Sequence, residues 1–252
     1  MIRKEWDALV KTLSPVCAEE EWTAEWQAQK EKAANCGPVV HLPYETGNAM
    51  AVYETLAFQA TDGVTLYARY IRPAHLEKAP LVLMYHDATC PVRGWHHMTR
   101  FIALGYGVLA LQNRPEGGTA RQTYTDALTA AHVGFNLPHT GGRVVTWGEG
   151  LGGTLAMAVA ALFPVDKCAV QNPLCSGPWQ DCARFASLLD CHVLMATCGM
   201  DEVAPPEKQA AVCRAVHGPV KHLLYPKYGH ERINAYGDQL LTFLHPDAQI
   251  DC

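Results

Sequence analysis

The chain has 252 residues, 49% of them apolar and 18% charged, with 20 Gly and 16 Pro. That length can bury a large core within one α/β domain, and the Gly and Pro share excludes a collagen-like or low-complexity chain. A formal charge of -5 with no basic stripe argues against a nucleic-acid partner, and no apolar run approaches the roughly 18 residues of a membrane span.

The N-terminus, Met1-Ile2-Arg3-Lys4-Glu5-Trp6, has no apolar stretch after its basic pair, so no signal peptide is expected. Ten cysteines without CxxC spacing read as small buried side chains and free thiols of a reducing, cytoplasmic compartment. Residues 17–35 predict a helix on which Trp22 and Trp26, four apart, share a face and pin it to the body. Residues 52–59 and 64–71, β-rich around Thr61-Asp62-Gly63, predict a hairpin. Short apolar runs follow at 81–86, 106–112, 143–148, 168–172, 192–197 and 221–226. They alternate with helical stretches near 95–104, 121–136, 151–163, 181–189, 206–217 and 232–244. This alternation predicts a mostly parallel central sheet with helices on both faces, the hairpin adding antiparallel strands at one edge. No repeat or linker divides the chain, so residues 1–252 are expected to form a single domain with 1–50 as an N-terminal helical extension.

In such sheets ligands bind beyond the carboxyl ends of the strands. The run 143–148 leads into Gly148-Glu149-Gly150-Leu151-Gly152-Gly153. The frame Gly148-x-Gly150-x-Gly152 is that of a nucleophile elbow, G-x-S-x-G, with Gly150 at the nucleophile's position. The same residues also spell the G-x-G-x-x-G of a dinucleotide loop. That segment comes late in the chain, however, and the next strand ends in Asn172-Pro173 without the acidic residue that would hold a ribose. A turn selected only for positive φ is a third reading, which the segment alone does not separate. Asp201 follows the run 192–197 and His230 the run 221–226. Nucleophile, acid and histidine in this order form the pattern of an α/β-hydrolase triad. Asp201 would orient the imidazole, and His230 would act as general base and then general acid. Singly, Asp201 also reads as a helix N-terminal acid before Pro205-Pro206, and His230 as a loop residue.

With these motifs the chain resembles, nearly end to end, the acetyl xylan esterase and cephalosporin-C deacetylase family of α/β hydrolases. The resemblance lies in EEEWTAEWQAQKEKA (19–33), TDGVTLYARYIRP (61–73), Tyr124-Thr125-Asp126-Ala127, MDEVAPP (200–206) and YPKYGHE (225–231). It implies the α/β-hydrolase fold, removal of acetyl groups from small sugars and related esters by a serine, and no metal or organic cofactor. It also implies catalytic roles for Asp201 and His230. The departures are specific. The serine position is Gly150, the family's His-Gly-Tyr reads His86-Asp87-Ala88, and its Arg-Gly-Gln reads Arg114-Pro115-Glu116. The stretch from Arg114 to Tyr124 is shorter than the family's β extension that supports oligomer contacts. The shortening counts against a hexamer of the family type, and a homo-oligomer stays open.

Gly150 offers no lone pair, and a triad without its nucleophile keeps only ~10³–10⁴-fold catalysis over water. The N–H groups of Leu151 and Ala88 are the expected oxyanion donors, and Arg114 is expected to anchor the loop beside them. Asp87 would oppose an oxyanion if it were ionised and turned inward, and would be harmless if turned to solvent. Glu149 should point away from His230. Substitute nucleophiles are Cys90, Cys175 and Cys198, with Cys175 the most tempting, or a water in the space of the serine. His96-His97 lacks the i, i+4 spacing and carboxylate of a metal motif. The expectation is an esterase homologue with little or no activity, whose ligand is a small ester or acetylated sugar. An active hydrolase using a water or a substitute nucleophile, and a non-catalytic binding or protein-interaction module, are the alternatives.

Overall fold

The computed structural model describes residues 1–114 and 117–245. Its strands are β1 (Val40–Pro43), β2 (Ala51–Gln59), β3 (Thr65–Pro73), β4 (Ala79–Tyr85), β5 (Gly107–Leu111), β6 (Thr140–Glu149), β7 (Lys167–Gln171), β8 (His192–Cys198) and β9 (Val220–Tyr225). They form one sheet in the order β1-β2-β3-β5-β4-β6-β7-β8-β9. The pairs β1–β2, β2–β3 and β3–β5 are antiparallel; from β5 through β9 every pair is parallel. The helices are α1 (Arg3–Thr12), α2 (Glu20–Ala33), α3 (His96–Ile102), α4 (Ala120–Asn136), α5 (Leu151–Leu162), α6 (Cys182–Ala186), α7 (Pro206–Ala215) and α8 (Asn234–Leu244).

The interior strands are apolar at successive positions because both sides of the sheet are covered. Leu81 to Tyr85 in β4 and Val193 to Ala196 in β8 are all buried. One face packs against α2, α4, α5 and α6 through Trp26, Tyr124, Leu155 and Phe185. The other packs against α3 and α8 through Met98, Phe101, Tyr236 and Leu240. Among the described residues no helix is long and apolar enough to cross a membrane.

The expectation for residues 1–50 needs correction, because the extension is not purely helical. It carries α1 and α2 but also β1, which pairs with β2 at the sheet edge. β1 is short and exposed along its whole length, so no buried face marks it. α1 buries one side chain, Trp6, whose ring stacks on His222 of β9 with centroids 4.0 Å apart. α2 matches the expected helix. Its Trp22 lies 4.8 Å from Phe185, and Trp26 lies 5.2 Å from Tyr124 and 5.1 Å from Phe185.

Tyr85 at the end of β4 pairs with Gly148 near the end of β6, so the loops after these strands leave the sheet side by side. For the aromatic cluster, Trp26→Ala is expected to lower unfolding stability by ~3–5 kcal/mol, read from urea denaturation, while Trp26→Phe loses less.

Candidate functional site

β6 runs to Glu149 and α5 begins at Leu151, so Gly150 alone makes the turn. Its dihedrals are φ 55° and ψ -122°, a region that costs a residue with a Cβ ~1–3 kcal/mol. The flanking glycines serve close approach. A Cβ at Gly148 would strike the backbone of Gly152, and one at Gly152 would strike the carbonyl of Tyr85. The turn is fixed by the Gly150 N–H donating to the Gln171 carbonyl at 2.9 Å. The elbow geometry is therefore complete without an elbow side chain.

The facing loop supplies a side chain in its place. After β4, Asp87 turns inward, and its Oδ1 accepts the N–H of Leu151 at 2.9 Å. Its Oδ2 lies 3.3 Å from Nε2 of His230. Nδ1 of His230 lies 2.8 Å from Oδ2 of the buried Asp201. The other oxygen of Asp201 accepts the N–H groups of Val203 at 2.9 Å and Ala204 at 2.8 Å. Asp201, His230, Asp87 and the Leu151 N–H thus form one continuous hydrogen-bonded chain. A Cβ built on Gly150 would collide with Oδ1 and Cγ of Asp87. The carboxylate occupies the space into which an elbow side chain would project.

The electrostatics follow from that chain. Hydrogen bonds to Asp201 and then Asp87 outweigh partial burial and raise the His230 pKa to about 10. Burial pushes the Asp87 carboxyl upward, but hydrogen bonds from His230, Leu151 and Ala88 together hold it below its ordinary value. The protonated imidazole is thereby favoured in its place between Asp201 and Asp87. An imidazolium has no lone pair and cannot accept a proton.

The remaining residues fall around this centre. Gly150, Asp87 and His230 line a polar cavity of about 140 Å³ with Cys90, Arg93 and Arg232. Ala88 and Leu151 line an adjoining, mainly apolar cavity of about 220 Å³ with Leu111, Leu155, Trp179 and Arg114. The Arg114 guanidinium is engaged by Asp126, at 2.7 Å from Nη2, and by Asp62, at 2.8 Å from Nη1. Its charge ties the loop after β5 to α4 and to the turn of the β2–β3 hairpin. Pro115 and Glu116 lie outside the described residues. Glu149 forms an ion pair with Arg93 rather than with His230. Of the substitute thiols, Cys90 lines the polar cavity, whereas Cys175 and Cys198 do not fit. Burial raises Cys175 to about 12 and Cys198 to about 11, and neither lines the polar cavity. Arg93 and Arg232 were not singled out in the sequence. The sequence left the direction of Asp87 open, and the structure turns it inward.

The His230 shift predicts a pH dependence. A histidine raised by its partners contributes stability fully below its unfolded pKa of about 6.5 and loses that contribution as pH rises through the folded value of about 10. The imidazole Cε1 proton signal should therefore titrate near pH 10, and in Asp87→Asn it should titrate lower. A His230 titration near 6.5 in the parent would contradict the ion chain.

Comparison with known proteins gives a consistent placement. The profile of the family Acetyl xylan esterase (AXE1) matches residues 7–135 and 178–246, and the unmatched stretch between them contains the elbow. Acetyl Xylan Esterase 1 from Thermoanaerobacterium sp. JW/SL YS485 superposes with a TM-score of 0.83 at 21% identity, covering 96% of this chain and 98% of that one. The acetyl xylan esterase from Paenibacillus sp. R4 gives 0.84 at 17% identity, with the same 96% and 98% coverage. A cold-adapted esterase from an Arctic intertidal metagenomic library gives 0.71 at 13% identity, covering 82% of this chain and 97% of that one. A search of curated protein sequences finds no match. At these identities the solved structures establish the α/β-hydrolase fold, and the profile establishes the kinship. The chain belongs to the acetyl xylan esterase family.

Proposed function

We propose that this member of the family binds a small ester or acetylated sugar without cleaving it through an acyl-enzyme. The observation that carries this reading is the Asp87 carboxylate, which stands where a Cβ at Gly150 would project. Each requirement of the serine reaction fails in turn. Gly150 presents no attacking oxygen. The two acidic partners raise the His230 pKa to about 10, which disfavours the neutral imidazole that would activate a hydroxyl or a water. The Leu151 N–H is engaged by an anion, and a tetrahedral oxyanion there would face that like charge. Attack of the Asp87 carboxylate on an ester would give a mixed anhydride, more reactive than the ester it came from, so the reaction would run backward.

The non-catalytic alternatives differ in what they leave open. Asp87 fills the nucleophile's space but not the adjoining apolar cavity, which stays bounded by Ala88, Leu151, Leu155 and Trp179. That supports a ligand-holding homologue over a bare interaction scaffold. We assign the chain to a reducing compartment, a reading supported by free cysteines throughout the described residues.

The test is hydrolysis of p-nitrophenyl acetate at neutral pH by the parent, Gly150→Ser and Gly150→Ser/Asp87→Gly. The parent and the single variant should stay at background, because the new serine meets Asp87. The double variant should gain on the order of 10²-fold or more. Brisk turnover by the parent that disappears in His230→Ala would sink the reading.

A further inference from the structure

We propose that the polar cavity beside Asp87 is a polyol subsite, which takes the free vicinal hydroxyls of a neutral sugar and binds the alcohol in preference to its acetate ester. The inference rests on the reading that this site holds a ligand without cleaving it, and it names the part of the ligand that is held.

A buried acceptor without a partner points to the ligand. Gln171, the last residue of β7, lines the cavity and is only 2% exposed. Its Nε2 donates to the Glu231 carbonyl at 2.7 Å, so the amide cannot be turned end for end. Its Oε1 is buried and accepts no hydrogen bond. Leaving such an oxygen unpaired is costly, and a donor brought by the ligand removes the cost. The turn after it is held firmly. Asn172 sits at φ 47°, its N–H donates to the Ala196 carbonyl at 2.9 Å, and its Oδ1 accepts the Cys198 N–H at 2.8 Å.

The rest of the wall sets donors and acceptors side by side. Arg93 pairs with Glu149 at the end of β6, and its carbonyl accepts Nη1 of Arg69 at 2.6 Å. Arg232 is oriented by Nδ1 of His97, 2.9 Å from its Nη1. Each guanidinium carries five N–H groups, more than these bonds use. A hydroxyl both donates and accepts. Two adjacent hydroxyls can give their hydrogens to Gln171 Oε1 and the Glu149 carboxylate while their lone pairs take N–H groups of the arginines. Around the cavity three acids, Asp87, Glu149 and Glu231, face Arg93, Arg232 and His230. Neither sign dominates, which favours a neutral ligand over an ionic one. The volume of about 140 Å³ suits one small ring or a short polyol chain.

Esterification removes what this wall requires. Both oxygens of an acetate ester only accept. Against Gln171 Oε1 and the carboxylates of Asp87 and Glu149 they bring acceptor to acceptor. A site built to bond hydroxyls rejects an analogue that lacks them.

The probes are methyl β-D-xylopyranoside, its tri-O-acetyl ester and its monodeoxyfluoro analogues, in which a fluorine of nearly hydroxyl size cannot donate. Each is titrated into the full chain at neutral pH while the Gln171 side-chain amide and His230 ring signals are followed by NMR. The xyloside should move both signals to saturation. At least one fluoro analogue should bind on the order of 10-fold more weakly, and the ester should be weaker still. Gln171→Met, followed through the His230 signal, should weaken the xyloside to a similar degree and erase the difference for the most affected analogue. Should that variant fail to fold, the analogue series on the parent decides alone. The proposal is overturned by no saturable shift with the xyloside, by an ester that binds as well as the alcohol, or by fluoro analogues all equal to the xyloside. Sulfate moving the same signals where the xyloside does not would overturn it too. The two readings fail separately: parent hydrolysis of p-nitrophenyl acetate overturns the silent-esterase reading, whereas a missing preference for the alcohol beside a silent ester assay overturns this one alone.

Discussion

The space between Gly150 and His230 is held by a side chain from the loop after β4. Asp87 reaches across from the end of that strand, takes the Leu151 N–H and bonds the imidazole. The sheet makes the substitution geometrically simple. β4 and β6 are parallel neighbours in register at Tyr85 and Gly148, so their C-terminal loops face each other across the elbow. The backbone crossing at Gly148 and Gly152 keeps α5 hard against β4 whatever stands at the turn. The elbow thus belongs to the packing of the fold, and its chemistry is a separate matter decided by which loop fills the gap.

Charge explains why the arrangement holds. Asp201 is buried, and Asp87 and His230 are both largely withdrawn from water. An isolated carboxylate in such a place is costly, and a pair of carboxylates more so. The imidazolium between them, with backbone N–H groups at both ends, satisfies the chain from Val203 and Ala204 through to Leu151. Elements remote from one another in sequence are tied by this line of bonds, and Arg114 adds a second tie between its own loop, α4 and the β2–β3 hairpin.

The fold was legible where burial imposes periodicity. The six apolar runs, the hairpin and the helices between them all correspond to observed elements, because each buries a face large enough to pattern the sequence. α1 and β1 escaped because one contributes a single buried tryptophan and the other none. Asp201 and His230 could be placed at strand ends from chain order, and the structure brings them into contact. The sign of Asp87's effect could be stated but not its direction, since the side chain turns inward only because the opposite loop leaves room. That is a relation between two positions more than sixty residues apart, invisible to any local pattern. Arg93 and Arg232 also reach the cavity, and neither was singled out, although Arg232 directly follows the motif that carries His230.

The collision geometry at the elbow also couples two positions far apart in the chain. With Asp87 turned inward, a side chain at position 150 and the carboxylate contend for one volume. With Asp87 removed, the imidazole faces a gap that nothing else among the described residues is seen to fill. A change at either position is therefore felt through the other.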